Sequence, residues 1–254
     1  MRETFVRRPG NSIPGLMKRS ATGCAFSFFL LIASFPGWSG SIQLSPVRTT
    51  LSESRPVEAI RVKNHGTEPS VIQLEPMAWS QQDGKDIYVP TREIIATPPI
   101  FTVPAGGTQV VRVGLRRASD PRRELAYRLY FQEVPPPAAA GFQGLQVALR
   151  LGMAVFVSSA AGVKPEVRWS LRRGAGTELA LTAANTGAAH LQLASFTLAS
   201  AAGEPVEHKV GAYLLPGQSR EWPVRVAQVP VAGAAWRLIA RTDAGELRAD
   251  LVLE

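Results

Sequence analysis

The 254-residue chain holds one cysteine, three histidines and four methionines, and only 7% of it is aromatic. Each scarcity removes a class of protein. A lone cysteine, Cys24, can close no disulfide within the chain and supplies no CxxC pair for a metal or redox site. The histidines, His65, His190 and His208, lie far apart in sequence, with neither an HExxH motif nor paired metal-ligand spacing. No Gly-Xaa-Ser-Xaa-Gly elbow occurs, and the adjacent glycines of "FTVPAGGTQ" lead into a strand-like run rather than a helix, which disfavours a phosphate-binding loop. No segment of useful length repeats its apolar residues at the helical period. Collagen-like triplets, low-complexity tracts and short tandem repeats are absent as well. The residues therefore predict a chain that is not an enzyme and that holds no catalytic residue, metal or cofactor.

One long apolar run is present, and it stands at the beginning. Arg2, Arg7, Arg8, Lys18 and Arg19 precede "GCAFSFFLLIASFPGW", which is short for a membrane span and is followed by the small residues "SGS". This order predicts a cleavable secretory signal peptide over residues 1–40, cut around Ser39 to Ser41, with Met17 an alternative start. Cys24 would leave with it, so the exported protein would carry no thiol and have no stable membrane insertion. The formal charge of the whole chain is +8, but five of its 28 basic residues and one of its 20 acidic residues precede position 41, leaving a balance of +4. That excess is too small to argue for a nucleic-acid partner.

The 20 prolines and 22 glycines divide the remainder into short extended runs. Between residues 41 and 159 these are "SIQLSPVRTTLS", "EAIRVKN", "PSVIQLEPMAW", "DIYVP", "GTQVVRVGL", "ELAYRLYFQEV" and "LQVALRLGMAVFVSS", punctuated by "NHG", "QDGK", "TPP" and "PAGG". Seven runs in about a hundred residues predict an immunoglobulin-like sandwich. After the small-residue and proline stretch "SSAAGVKP", the runs "EVRWSLRR", "ELALTAAN", "AHLQLASFTLAS", "SREWPVRV", "WRLIART" and "ELRADLVLE" predict a second, smaller one. The expected fold class is all-β, with two immunoglobulin-like β-sandwich domains at residues 41–160 and 161–254.

Within "GLQVALRLGMAVFVSS", Leu145, Val147, Leu149 and Leu151 alternate with Gln146, Ala148 and Arg150, the period of a half-buried strand. The residues alone leave open whether this face packs into its own core or receives another chain. Trp169, Trp222 and Trp236 read as core or edge residues of the second sandwich.

Several spaced elements in order, "IIATPPIFTVPAGGTQVVRV", "ELAYRLYFQEVPP" and "LQVALRLGMAVF", together with "SPVRTTLS", resemble the periplasmic chaperones of the chaperone-usher pilus pathway. "NTGAAHLQLASF" and "YLLPGQSREWPV" look similar to its archaic, Csu-like branch. The resemblance implies a chaperone that binds pilus subunits, completes their fold with a donated strand and delivers them to an outer-membrane usher. It implies that Leu145, Val147, Leu149 and Leu151 form the donor strand, and that Arg48 anchors the subunit's carboxylate. The lysine that usually joins this arginine falls at Ala154, so Arg128 is the expected second anchor. Glu124 is the expected interdomain residue, although the basic partner expected near Ser158 is missing. Asn64, Pro99 and Arg112 match the pattern and read as turn and packing residues. An exported immunoglobulin-like structural or adhesive protein is the alternative reading.

Overall fold

In the computed structural model, residues 42–137, 141, 143–159, 161–200 and 203–254 are described; the expected leader lies outside them. Every regular element among them is a strand. No helix there is long and apolar enough to cross a membrane.

The first sandwich pairs two sheets. One contains β1 (Ile42–Ser45), β3 (Val57–Asn64), β8 (Thr108–Leu115) and β6 (Ile94–Thr97), in the order β1-β3-β8-β6. The other contains β2 (Arg48–Leu51), β10 (Arg150–Val157), β9 (Leu125–Val134), β4 (Ser70–Gln82) and β5 (Lys85–Pro90), in the order β2-β10-β9-β4-β5, with β7 (Ile100–Val103) also on β4. Alternate residues point inward, as the pleat requires. Ile60 and Val62, Val111 and Val113, Leu129 and Phe131, and Met153, Val155 and Val157 meet in one core. The single first run in the sequence divides at Pro46-Val47 into β1 and β2, which belong to different sheets, and "IIATPPIFTV" divides at Pro98-Pro99 into β6 and β7. Proline offers no N–H to a ladder, so a strand can leave one sheet there and join the other.

The second sandwich packs β11 (Val167–Arg173), β12 (Glu178–Asn185) and β15 (Ser219–Arg225) against β14 (Val206–Leu214), β13 (Leu191–Ser200), β16 (Ala235–Thr242) and β17 (Gly245–Val252). Its core gathers Leu179, Leu181, Leu193, Phe196, Leu198, Trp222 and Leu238. Trp236 is buried in it, and Trp169 packs at its margin. Strand β14 gives little strand signal in the sequence, because "VEHKVGAYL" carries two charges and a histidine and Gly211 adopts φ 60°.

The two sandwiches use one device at corresponding strand ends. The side chain of Asn64, the last residue of β3, donates to the carbonyls of Glu68 and Val103 and accepts from Gly66 N–H. Asn185, the last residue of β12, likewise donates to the carbonyls of Ala189 and Leu214 and accepts from Gly187 N–H. A buried amide that closes a turn on both sides satisfies backbone groups that the ladder has abandoned. The β4–β5 turn follows the rule for tight hairpins: Asp83 and Gly84 occupy φ 52° and 71°.

Candidate subunit-binding site

Strand β10 joins two environments. From Arg150 onward it is held by β9, and from Ala154 to Val157 also by β2 in parallel. Residues 145–149, expected as the beginning of the same strand, have no strand assignment. The register explains the far part of this: Arg150 faces Gln132, so Leu149 and Ala148 would still meet Glu133 and Val134 at the end of β9, whereas Val147, Gln146 and Leu145 would face Pro135, Pro136 and Pro137. The prolines provide no amide donors. One short connection remains, in which Glu133 N–H donates to the Leu149 carbonyl and Leu149 N–H donates to the Glu133 carboxylate.

The apolar face is continuous across this change. Met153, Val155 and Val157 fill the first core and Leu151 packs at its edge. Beyond them Leu149 is half-buried, while Val147 and Leu145 are 68% and 87% exposed. Of the four expected donor residues, Leu151 thus contacts its own sandwich, and Leu145 and Val147 stay largely exposed.

The opposite face of the same sheet carries the charge. Arg48, Ala154 and Arg128 lie in register across β2, β10 and β9. Their neighbours Thr49, Val155 and Tyr127 are buried toward the core, so this row faces the other way. Adjacent strands are about 4.8 Å apart, which puts the two arginine backbones about 10 Å apart with only a methyl group between them. The Arg128 guanidinium lies 5.2 Å from the centre of the Trp79 ring, and its buried Nε donates to no protein group among the described residues. Gly152 leaves room beside it: a Cβ there would stand 3.1 Å from Arg128 Nε and 2.9 Å from the Tyr130 ring. Arg150 stacks 3.9 Å from the Tyr130 ring centre and pairs with Glu75 at 2.7 Å. Tyr88 meets the Tyr130 ring edge-on. Burial, then the Asp86 carboxylate, push the Tyr88 phenol up to about 12, so it stays an uncharged donor at neutral pH.

The second sandwich contributes to this face. Arg48 Nη1 donates to Asp243 Oδ2 at 2.7 Å and to Gln192 Oε1 at 3.1 Å. The bond to Asp243, with support from the nearby Tyr213 phenol and against some burial, raises the Arg48 guanidinium further into its charged range. Glu124 is buried where the two sandwiches meet. Its Oε2 accepts from His190 N–H and contacts His190 Nδ1, while Glu124 N–H donates to the Ala188 carbonyl. The imidazole stacks on Phe156 with 3.5 Å between ring centres. No basic residue lies near Ser158 to meet Glu124; His190 of the second sandwich contacts it instead, which linear proximity could not reveal.

Gln81 was also missed. Its amide donates to the Tyr213 carbonyl and accepts from Leu215 N–H, mimicking one rung of a ladder between the sandwiches. Trp79, Ala154, Phe156 and Leu215 form a small apolar cluster around it. No group of three potential metal ligands gathers among the described residues.

Residues 41–161 match the model of the pili and flagellar-assembly chaperone family, PapD N-terminal domain. No curated protein matches the sequence. Among solved structures, the chain is similar to one in the CsuC–CsuE chaperone–tip adhesion subunit pre-assembly complex of the archaic Csu pili of Acinetobacter baumannii, with TM-score 0.63 and 18% identity over 84% of this chain and 99% of that one. It is similar to the E. coli chaperone DraB, with TM-score 0.58 and 22% identity over 83% and 96% of the two chains. A third similarity is to the Salmonella enterica complex of the SafA pilin with the SafB chaperone, with TM-score 0.57 and 17% identity over 84% and 96%. The fold of these structures is that of two immunoglobulin-like sandwiches, and the matched family comprises assembly chaperones rather than enzymes.

Proposed function

We propose that this chain, whose residues 41–161 match the model of the PapD N-terminal domain of pili and flagellar-assembly chaperones, is a periplasmic chaperone that binds pilus subunits by lending them a strand and passes them to an outer-membrane usher. The observation that carries this reading is the exposed continuation of an otherwise buried face: Val155 and Val157 fill the chaperone's own core, and Val147 and Leu145 extend the same alternation into solvent. An incomplete sandwich that lacks its last strand would gain two things from residues 145–149. Unpaired backbone groups would close its sheet edge, and alternate apolar side chains would fill its open core.

Arg48 and Arg128 supply the other end of the contact. A chain terminus entering the row across Ala154 would bring one carboxylate to two guanidinium groups, and the Arg128 Nε–H has no competing acceptor among the described residues. Charge-assisted bonds of this kind are about twice as strong as neutral ones and fix the register of the added strand. Export by a cleaved leader delivers the chain to the compartment where such subunits are folded.

Co-expression with a candidate pilin tests the reading. The expected result is a stable one-to-one complex, with the pilin degraded when expressed alone. Survival of the pilin without the chaperone, and no complex, would return the chain to the class of exported structural or adhesive proteins.

A further inference from the structure

The Arg48 contacts extend the proposed site into the second domain, and the inference rests on Arg48 being the carboxylate anchor. Arg48 stands at the beginning of a four-residue strand, and its side chain is 42% exposed. A long side chain so placed would ordinarily sample many rotamers, and ordering it on binding would cost part of the affinity. Here one end is already fixed. Both bonds, to Asp243 Oδ2 and Gln192 Oε1, leave from Nη1; the Tyr213 phenol lies nearby, and Nε and Nη2 meet no carboxylate or amide acceptor among the described residues. Those two nitrogens form the edge of the guanidinium that grips a carboxylate with two parallel bonds.

Asp243 is itself fixed. Its Oδ1 accepts from Gln192 N–H at 2.9 Å, its own N–H donates to the Gln192 carbonyl, and His190 Nε2 approaches Oδ2 at 3.6 Å while Nδ1 of the same ring contacts Glu124. We infer that Asp243 and Gln192 of the second domain are positioning residues that hold Arg48 by one nitrogen and present its free edge to the incoming carboxylate. The second domain then takes part in subunit recognition through Arg48.

The test uses the mature chain and a synthetic extended peptide of alternating apolar and polar residues, made as the free acid and as the C-terminal amide. Wild type should prefer the acid by roughly tenfold, the scale of a charge-assisted pair, and Arg48→Ala should lose the preference. Asp243→Asn keeps the Oδ1 acceptor for Gln192 and turns the Oδ2 position into a donor facing Arg48. It should reduce the preference to about that of Arg48→Ala without weakening amide binding or changing the melting temperature by more than that of Arg48→Ala. Relaxation of the Arg48 Nε–H in nuclear magnetic resonance should show new fast motion. Gln192→Ala, which spares the ion pair, should lie between, and it serves if Asp243→Asn fails to fold. Undiminished acid preference and an ordered Arg48 in Asp243→Asn, or in Gln192→Ala should only that variant fold, would overturn the positioning role alone. A wild type indifferent to acid or amide would overturn the anchor and this inference with it.

Discussion

Arg48 and Arg128 share one face of one sheet, separated by the single residue Ala154. The two are supported differently: Arg48 is held by acceptors from the second sandwich, and Arg128 lies over Trp79 with its Nε unpartnered among the described residues. Removing either charge should therefore have separable consequences for folding and binding.

For Arg128, truncation to alanine would remove packing as well as charge, because the aliphatic stem covers the sheet. Arg128→Met retains most of that stem. It should fold with a melting temperature near that of wild type and lose capture of a pilin by about 2–5 kcal/mol if the carboxylate pair is desolvated. Isothermal titration together with a thermal melt checks this. Full-strength capture by the folded variant removes Arg128 from the site.

The donor face yields a contrast within four residues. Val147→Asp puts a carboxylate where the free protein is 68% exposed, so circular dichroism and melting should be unchanged. In a pilin groove the same carboxylate would be buried without a partner at a cost of several kcal/mol, and capture should disappear. Leu151→Asp lies beside the first core and should lower the melting temperature even without a pilin. A Val147→Asp variant that melts early would mean that this face packs internally.

What the sequence could disclose follows from range. The alternation in Leu125–Val134 is local, since a pleat alone decides which side a residue takes, and it puts Arg128 opposite Tyr127, Leu129 and Phe131; Met153–Val157 is apolar on both sides, so its pattern does not tell the core face from the face that meets Trp79 and Leu215. The prolines after β9 also stood in plain view, yet their effect on residues 145–147 depends on a register that only pairing defines. His190, Gln192 and Asp243 were the least legible. They come from a strand beginning and a hairpin turn of another domain, and each looks in isolation like an ordinary polar surface residue. Gln81 was hidden similarly, because its partners are backbone groups 132 and 134 residues away.

A second cluster on the first domain predicts a pH response. The Tyr127 O–H donates to Glu93 at 2.7 Å and Arg117 pairs with the same carboxylate at 2.8 Å. The Tyr127 bond first, and then Arg117, hold the Glu93 carboxyl below its ordinary value, while burial and then the Glu93 carboxylate raise the Tyr127 phenol. A depressed acid stabilises the fold above its unfolded value, about 4.3, and loses that contribution as pH falls through the folded value. A raised phenol stabilises below about 10 and loses its contribution as pH rises through its folded value. Tyr127→Phe should therefore cost about 1 kcal/mol at neutral pH, with the gap to wild type narrowing toward both extremes. Urea melts across pH would show it, and a gap that widens in acid would refute the assignment.

The Glu124–His190 contact makes the last prediction. Glu124 is only 8% exposed, and its Oε2 serves both the backbone N–H and the ring of His190. Glu124→Ala would leave those groups without their acceptor, and His190→Ala would leave a buried carboxylate with one fewer donor and strip the stacked ring from Phe156. Each loss should cost about 1–3 kcal/mol. Because the backbone N–H survives in His190→Ala, the two costs will not be identical, and the double variant isolates the ring contribution. A coupling of about 0.5–3 kcal/mol in that cycle is expected for residues in direct contact. Both sandwiches have their own cores, so the loss should appear as an earlier separation of domains, with calorimetry resolving two transitions where wild type shows closer ones. Additive single costs would mean that the contact contributes nothing to joining the two halves.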